Sequence, residues 1–327
     1  MEEKFPVALD LLLVEKCNMR CKMCHMWKYG DSTELTFSQC EALLNDLEKL
    51  VGGRPLEINL SGGEPLLRKD ILKIIRLCAD NGFSTSMATN GYLLDEETVK
   101  NLFDAGLTKI ILSLASMNRE IHDFLRGVDY SYDRIMGAIG HLRKYWQKRQ
   151  VYINTIIKEI NLDDIVELAK WVQGDKLIAG IGFQALAQPF YAPYDELWHK
   201  KEEYADIWPR DIKKVRSVLD KLIEFKKLDY KIGNSIPQLQ LFKEYYGDPQ
   251  GLIRKSRCNF GDHIINVNRI GEVMLCPFIG AVGNIKNDSI INIWRSESAD
   301  NARRMMYECK LICNNIINCW FREREEF

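Results

Sequence analysis

The sequence contains no apolar run approaching the ~20 residues that a membrane span requires, and over 327 residues it carries a net charge of only −1. The first absence argues against a membrane protein. The second leaves no electrostatic footprint for nucleic acid or an anionic membrane surface. The opening MEEKFPVALDLLLVEKCN is acidic where a secretory signal is basic, and it lacks a small-residue cleavage site. Repeats of solenoid period and low-complexity segments are also missing. These absences predict a cytoplasmic protein with no nucleic-acid and no membrane partner. Its length is enough for one large domain or two ordinary ones, and its 46% apolar content for a substantial core.

Cysteine, by contrast, is abundant and unevenly placed. Of ten cysteines, Cys17, Cys21 and Cys24 lie in one stretch, EKCNMRCKMCHMWK, and Cys258, Cys276, Cys309, Cys313 and Cys319 lie towards the C-terminus. In a reducing compartment such clusters point to metal binding or catalysis rather than disulfides. Cys40 and Cys78 stand apart within helical patterns and read as core fillers.

Between residues 7 and 187 strand-like runs alternate with amphipathic stretches, about six times. VALDLLLV, LEINLS, FSTSMATN, LTKIILSLA, VYINTIIK and LIAGIGFQAL read as strands. SQCEALLNDLEKLV, KDILKIIRLCADNG, DEETVKNLFDAG, YDRIMGAIGHLRKYWQKR and LDDIVELAKWVQ read as helices. The alternation predicts an α/β fold with a parallel sheet and helices outside it. Six units cannot complete an eight-stranded barrel, so a partial (β/α)6 barrel is expected, with ligands at the C-terminal strand ends. Residues 1–187 form this core, 188–257 a closing helix and linker, and 258–327 a small, metal-held module. In the last of these, VNRIGEVMLC reads as a β-hairpin with Gly271 in its turn. Aromatics between Gln188 and Tyr246 suit either a substrate entrance or packing.

Three thiolates can hold three irons of a cubane cluster and leave the fourth open. An open metal position marks a catalytic rather than a structural site. A zinc knuckle or scattered thiols are the alternatives. Placed after the first strand, CxxxCxxC resembles the radical S-adenosylmethionine (SAM) superfamily. In that family SAM chelates the open iron of a [4Fe–4S] cluster and yields a 5′-deoxyadenosyl radical. An aromatic often precedes the third cysteine there; Met23 stands in its place. NLSGGEPLL resembles the family's GGEP motif, so Gly62, Gly63 and Glu64 are implied to hold the SAM amino group. ATNGYLL resembles a family turn that brings Asn90 near the cofactor. ILSLASMNREIHDFLRG resembles the SLDG segment: Ser113 is implied to face the ribose and Arg126 the SAM carboxylate, while Ala115 stands where Asp is common. On the same pattern Asn154 and Gln184 point toward the pocket, whereas His122 and Asp123 read as surface helix residues.

The C-terminal pattern resembles the SPASM/twitch extension of that superfamily. It runs Cys258, Gly271 with Cys276, Gly283-Asn284-Ile285, Ile293-Trp294, then Cys309, Cys313 and Cys319. The resemblance implies one auxiliary [4Fe–4S] cluster on Cys258, Cys276 and two of Cys309, Cys313 and Cys319. A structural zinc is the alternative, and a spare thiol could donate a hydrogen atom. The family implies an oxidoreductase that abstracts hydrogen and oxidises a substrate carbon, supplied with electrons by a flavodoxin- or ferredoxin-type donor. The absence of a fused leader-binding domain tilts the expectation to a small, sugar-like substrate. A peptide substrate, a redox-neutral epimerase and a non-catalytic zinc scaffold are the alternatives. Catalytic side chains are not identified.

Overall fold

The computed structural model describes residues 4–28, 33–145, 150–189 and 195–319. Six strands follow the expected order: β1 (Ala8–Val14), β2 (Glu57–Gly62), β3 (Ser84–Thr89), β4 (Lys109–Ser113), β5 (Gln150–Ile157) and β6 (Ile178–Ala185). All pair in parallel with their sequence neighbours. The helices between them are α1 (Phe37–Val51), α2 (Ile71–Asp80), α3 (Glu96–Ala105), α4 (Arg119–Arg126), α5 (Ser131–Tyr145) and α6 (Leu162–Gly174). Local chemistry sets their ends. Thr36 and Gln39 form a reciprocal capping box on α1, while Asp95 caps α3 and Gly106 closes it in the left-handed region. The last four residues of the helix expected over 132–149 lie outside the described residues.

The strands are two-faced. Leu9, Leu11 and Leu13 are fully buried, whereas Asp10 and Leu12 on the opposite face are half-buried. Register aligns Asp10, Asn59 and Ser86 across three strands. Asn59 Nδ2 donates to Asp10 Oδ1 at 2.7 Å, and Ser86 Oγ donates to Asn59 Oδ1. Nearby, Lys109 Nζ meets Glu57 Oε1 at 2.6 Å. One face of the sheet therefore packs on helices and the other is polar.

Residues 188–257 hold more than one closing helix. α7 (Ile212–Lys227) and α8 (Ile236–Gly247) pack on each other. The aromatics divide towards packing: Trp198 lies 5.1 Å from Tyr204 and 5.4 Å from Trp208 between ring centroids, and Tyr246 is fully buried. The Tyr246 hydroxyl donates to Ile157 O at 2.8 Å and accepts from Leu186 N at 2.8 Å. These bonds fasten α8 to the ends of β5 and β6.

The expected hairpin forms as β7 (Ile264–Val267) and β8 (Glu272–Met274), antiparallel, with β9 (Gly283–Asn284) beyond. Gly271 turns it at φ +86°, and a Cβ there would lie 2.8 Å from Asn284 Oδ1. The hairpin is not a free-standing module. β7 runs parallel to β1, so one nine-stranded sheet passes from the core into the C-terminal segment. At the other edge the Asn318 carboxamide exchanges two bonds with Ala185 of β6, at 2.8 and 2.9 Å. The C-terminal segment thereby touches both open edges of the six-stranded core. α9 (Ile290–Trp294) and α10 (Glu297–Glu308) complete it.

Candidate functional site

The first cysteine loop leaves β1 and is held from two sides. On one side Gly63 N donates to Val14 O at 2.8 Å and Glu64 N to Lys16 O at 2.9 Å. A Cβ on Gly62 would sit 2.1 Å from Val14 O, and one on Gly63 would sit 2.1 Å from Lys16 O. The close approach that these glycines permit is thus to the chain's own backbone. On the other side Arg20 N and Lys22 N donate to Arg126 O and Leu125 O at 2.9 and 3.1 Å. Gly127, at φ +66°, would place a Cβ 2.4 Å from Arg20 O. Within the loop, burial pushes the Cys17 thiol up to about 12, with Cys21, Glu64 and Cys24 adding to the rise.

Glu64 is fully buried and joins three elements. Its carboxylate accepts from Asn90 N at 2.9 Å, Thr89 Oγ1 at 2.8 Å and Leu66 N at 3.2 Å. Burial raises it to about 7 against these bonds. Asn90 continues the chain, donating through Nδ2 to Asn18 Oδ1 at 2.7 Å while its own Oδ1 receives Tyr92 N at 2.9 Å. Asn90 thus ties the β3 turn to the cysteine loop.

α4 supplies the opposite wall. Arg126 is buried; its Nη2 donates to Ser113 O at the end of β4, and its Nη1 faces Cys21 Sγ at 3.7 Å. His122 is not a surface residue. It is 1% exposed, its Nδ1 accepts from Ala115 N at 3.2 Å, and burial with the Arg126 charge lowers it to about 3. One turn before Arg126 on a helix, position 122 faces the same way, a signal already in the sequence. Asp123 is half-buried rather than free. Its carboxylate accepts from Tyr130 N, Ser131 Oγ and Tyr132 N at 2.9, 2.7 and 2.7 Å, capping α5.

Ser113 and Asn154 are register partners on β4 and β5, and Asn154 in turn pairs with Gly182 of β6. Gln184 lies two residues farther along β6. Two residues that sequence reasoning missed complete this wall. Lys158, which follows β5, is fully buried; burial and Arg126 lower it to about 7, with Cys21 opposing. By strand alternation it shares the face of Asn154 and Ile156, the signal that could have found it. Asn161, also fully buried, donates to Ala115 O at 2.7 Å and Ile156 O at 3.0 Å and accepts from Lys158 N at 2.8 Å.

The second cysteine group gathers where the sheet extension meets the C-terminal segment. Cys276 senses Cys258 and Cys309, and Cys313 senses Cys276 and Cys258. Cys319 senses Asp10 and Cys313 instead. It is open to solvent, yet surrounding protein pushes its thiol up to about 12. Cys40 and Cys78 are fully buried in the core.

Among the described residues no three His, Cys, Asp or Glu side chains converge closely enough to hold one metal ion. A cubane spreads its thiolates over separate irons. The buried Asn18 Nδ2 and Arg126 Nε beside the first loop lack acceptors, as donors toward an anionic group would. Comparison with known proteins agrees: the radical SAM superfamily profile matches residues 11–172 and an iron–sulfur cluster-binding SPASM profile matches residues 258–320.

The chain belongs to the radical SAM superfamily, SPASM type.

Its cofactors are accordingly SAM and a [4Fe–4S] cluster, with auxiliary iron–sulfur binding in the SPASM region. The AdoMet-dependent heme synthase of Methanosarcina barkeri is 26% identical over 310 residues, 90% of this chain and 82% of that protein. The PqqA peptide cyclase of Bradyrhizobium diazoefficiens is 23% identical over 339 residues, 97% of this chain and 80% of that protein. Streptococcus suis SuiB bound to precursor peptide SuiA shares the fold, with a TM-score of 0.68, 18% identity, and coverage of 92% of this chain and 67% of that one. Among the described residues, no helix of this radical SAM protein is long and apolar enough to cross a membrane.

Proposed function

We propose that this radical SAM enzyme is an oxidoreductase acting on a small, polar substrate, with one auxiliary [4Fe–4S] cluster. Cys17, Cys21 and Cys24 would hold the SAM-binding cluster. With SAM on its open iron, that group would supply a 5′-deoxyadenosyl radical able to remove a hydrogen atom from a substrate carbon. The observation that carries this reading is the ring of buried donors around the cysteine loop, where Asn18 Nδ2 and Arg126 Nε lack protein acceptors.

The residues take separate tasks. Gly62 and Gly63 hold the backbone of the loop, and Glu64 takes the SAM amino group while it ties β2 to β3. Ser113 faces the ribose, and Asn90, Asn154 and Gln184 line the pocket. Arg126 offers Nε to the SAM carboxylate, since its other nitrogens are engaged. Cys258, Cys276, Cys309 and Cys313 would hold the auxiliary cluster, because Cys276 lies within electrostatic reach of Cys258 and Cys309, and Cys313 within reach of Cys276 and Cys258. That cluster would accept the second electron of a two-electron oxidation. The first would leave with the abstracted hydrogen atom, and a flavodoxin- or ferredoxin-type protein would supply the separate electron that cleaves SAM.

The polar sheet face of Asp10, Asn59 and Ser86 favours a small hydroxylated or amine-bearing substrate. A second reading, modification of a ribosomal peptide, is favoured by the likeness to the PqqA peptide cyclase. Anaerobic reconstitution tests the core. Reduced enzyme with SAM should form 5′-deoxyadenosine and carry about eight irons, the count for two four-iron clusters. About four irons would remove the auxiliary cluster and favour redox-neutral chemistry; zinc without deoxyadenosine would sink the proposal. Turnover with candidate peptides against amino sugars then separates the two substrate readings.

A further inference from the structure

The polar face of the six-stranded sheet stays open to solvent. Residues on the helix-packed face of each strand are buried, whereas on the polar face Leu12, Ser61, Ile111 and Tyr152 are half-buried and Ala88 is exposed. Asp10 sits on this open face. Register carries its row from Asn266 on β7 through Asn59 on β2 and Ser86 on β3 to Lys109 on β4. Ser113 and Asn154 lie on the same face, four residues nearer the C-terminal strand ends, about 13 Å at strand spacing.

Charge along this row is unbalanced. Glu57 Oε1 takes Lys109 Nζ at 2.6 Å. Asp10 makes no ion pair among the described residues, and the nearby charge that acts on it is Glu57, a second anion. Asn59 Nδ2 donates to Asp10 Oδ1 at 2.7 Å, and Asn59 is fixed in that sense because its own oxygen receives Ser86 Oγ. The other neighbour, Asn266, directs its Nδ2 to Met274 O at 3.2 Å. Asp10 Oδ2 therefore has no donor among the described residues. Cys319 approaches from the C-terminal segment, open to solvent and within electrostatic reach of Asp10. A carboxylate drawn partly out of water without a cation is costly, and an incoming cation offsets that cost.

We infer that Asp10 is the specificity-determining anchor of the substrate cleft and binds the protonated amine of a small molecule beside Cys319, the rest of that molecule extending toward Ser113 and Asn154. This rests on the radical reading given under Proposed function, and it narrows the substrate class from hydroxylated or amine-bearing to cationic. A neutral substrate would leave the carboxylate unpaired, and an anionic one would be repelled by it. Asn59 and Ser86 act through Asp10, holding one carboxylate oxygen so that the other faces the ligand.

The test uses reconstituted full-length protein, kept anaerobic, as wild type, Asp10→Asn and Asp10→Glu, with iron counted in each. Cys319 is the reporter. Its labelling by a trimethylammonium-ethyl and by a sulfonato-ethyl methanethiosulfonate is followed by peptide mass spectrometry. Wild type should favour the cationic reagent. Asp10→Asn, which keeps an oxygen for Asn59, should retain iron and lower the cation-to-anion rate ratio about tenfold, while Asp10→Glu should keep most of it. Alkylation of Cys319 by neutral iodoacetamide should be slowed by glucosamine and not by N-acetylglucosamine, and Asp10→Asn should lose that protection. An unlabelled Cys319, a ratio unchanged in Asp10→Asn, protection that is absent or equal for the two sugars, or loss of iron in Asp10→Asn alone would each overturn the assignment. Charge preference and protection in a wild type that forms no 5′-deoxyadenosine from SAM would bring down the radical reading and leave the amine site standing.

Discussion

At the scale of single residues, the site depends on contacts too close for a side chain. Gly127→Ala would force a Cβ to within 2.4 Å of Arg20 O and strain a left-handed φ of +66°. It should strip iron from the first site, whereas Gly137→Ala, with nothing within 4 Å of its Cβ, should leave iron unchanged and add up to ~1 kcal/mol of helix stability. Metal analysis of both variants checks this. His122 makes a second prediction. Burial first, then Arg126, holds it near 3 instead of the usual 6.5, so the unfolded chain binds its proton more readily. Stability is complete above about pH 6.5 and falls as the pH drops toward 3, by ~1.4 kcal/mol per unit. Urea midpoints at pH 7 and pH 5 should show wild type losing about 2 kcal/mol more than His122→Gln; equal losses would remove His122 from the acid transition.

At the scale of elements, caps decide how the walls meet. Asp123 receives three donors at the start of α5. Burial raises its pKa, but those bonds outweigh it and hold the carboxylate below its ordinary value. Its contribution is therefore present above the unfolded pKa and lost as pH falls through the folded one. Asp123→Ala should cost about 1–2 kcal/mol in chemical denaturation at pH 7, and the deficit should shrink in acid. Element order and type were legible because strand and helix periods differ and each helix carries cap chemistry at its ends. His122 was misread because hydrophobicity alone cannot show that a polar residue shares a face with Arg126. Lys158 was missed because a lysine after a strand ordinarily faces water.

At the scale of the whole molecule, the C-terminal segment joins both edges of the sheet and carries the second thiol group with it. Cys276 lies within electrostatic reach of Cys258 and Cys309, and Cys313 within reach of Cys276 and Cys258, whereas Cys319 lies within reach of Asp10 and Cys313. Cys313→Ser should lose the auxiliary iron and Cys319→Ser should keep it, as read by iron count and electron paramagnetic resonance. The reverse result would make Cys319 the ligand. Sequence by itself determined the six βα units, the two cysteine groups, the hairpin and the family, since each is a local pattern of period, spacing or turn chemistry. Only the tertiary structure decided that the hairpin extends the core sheet, that Gly62 and Gly63 press on β1, and that Lys158 lies buried beside Arg126. These depend on contacts between segments far apart in the chain, and no local spacing encodes which of them meet.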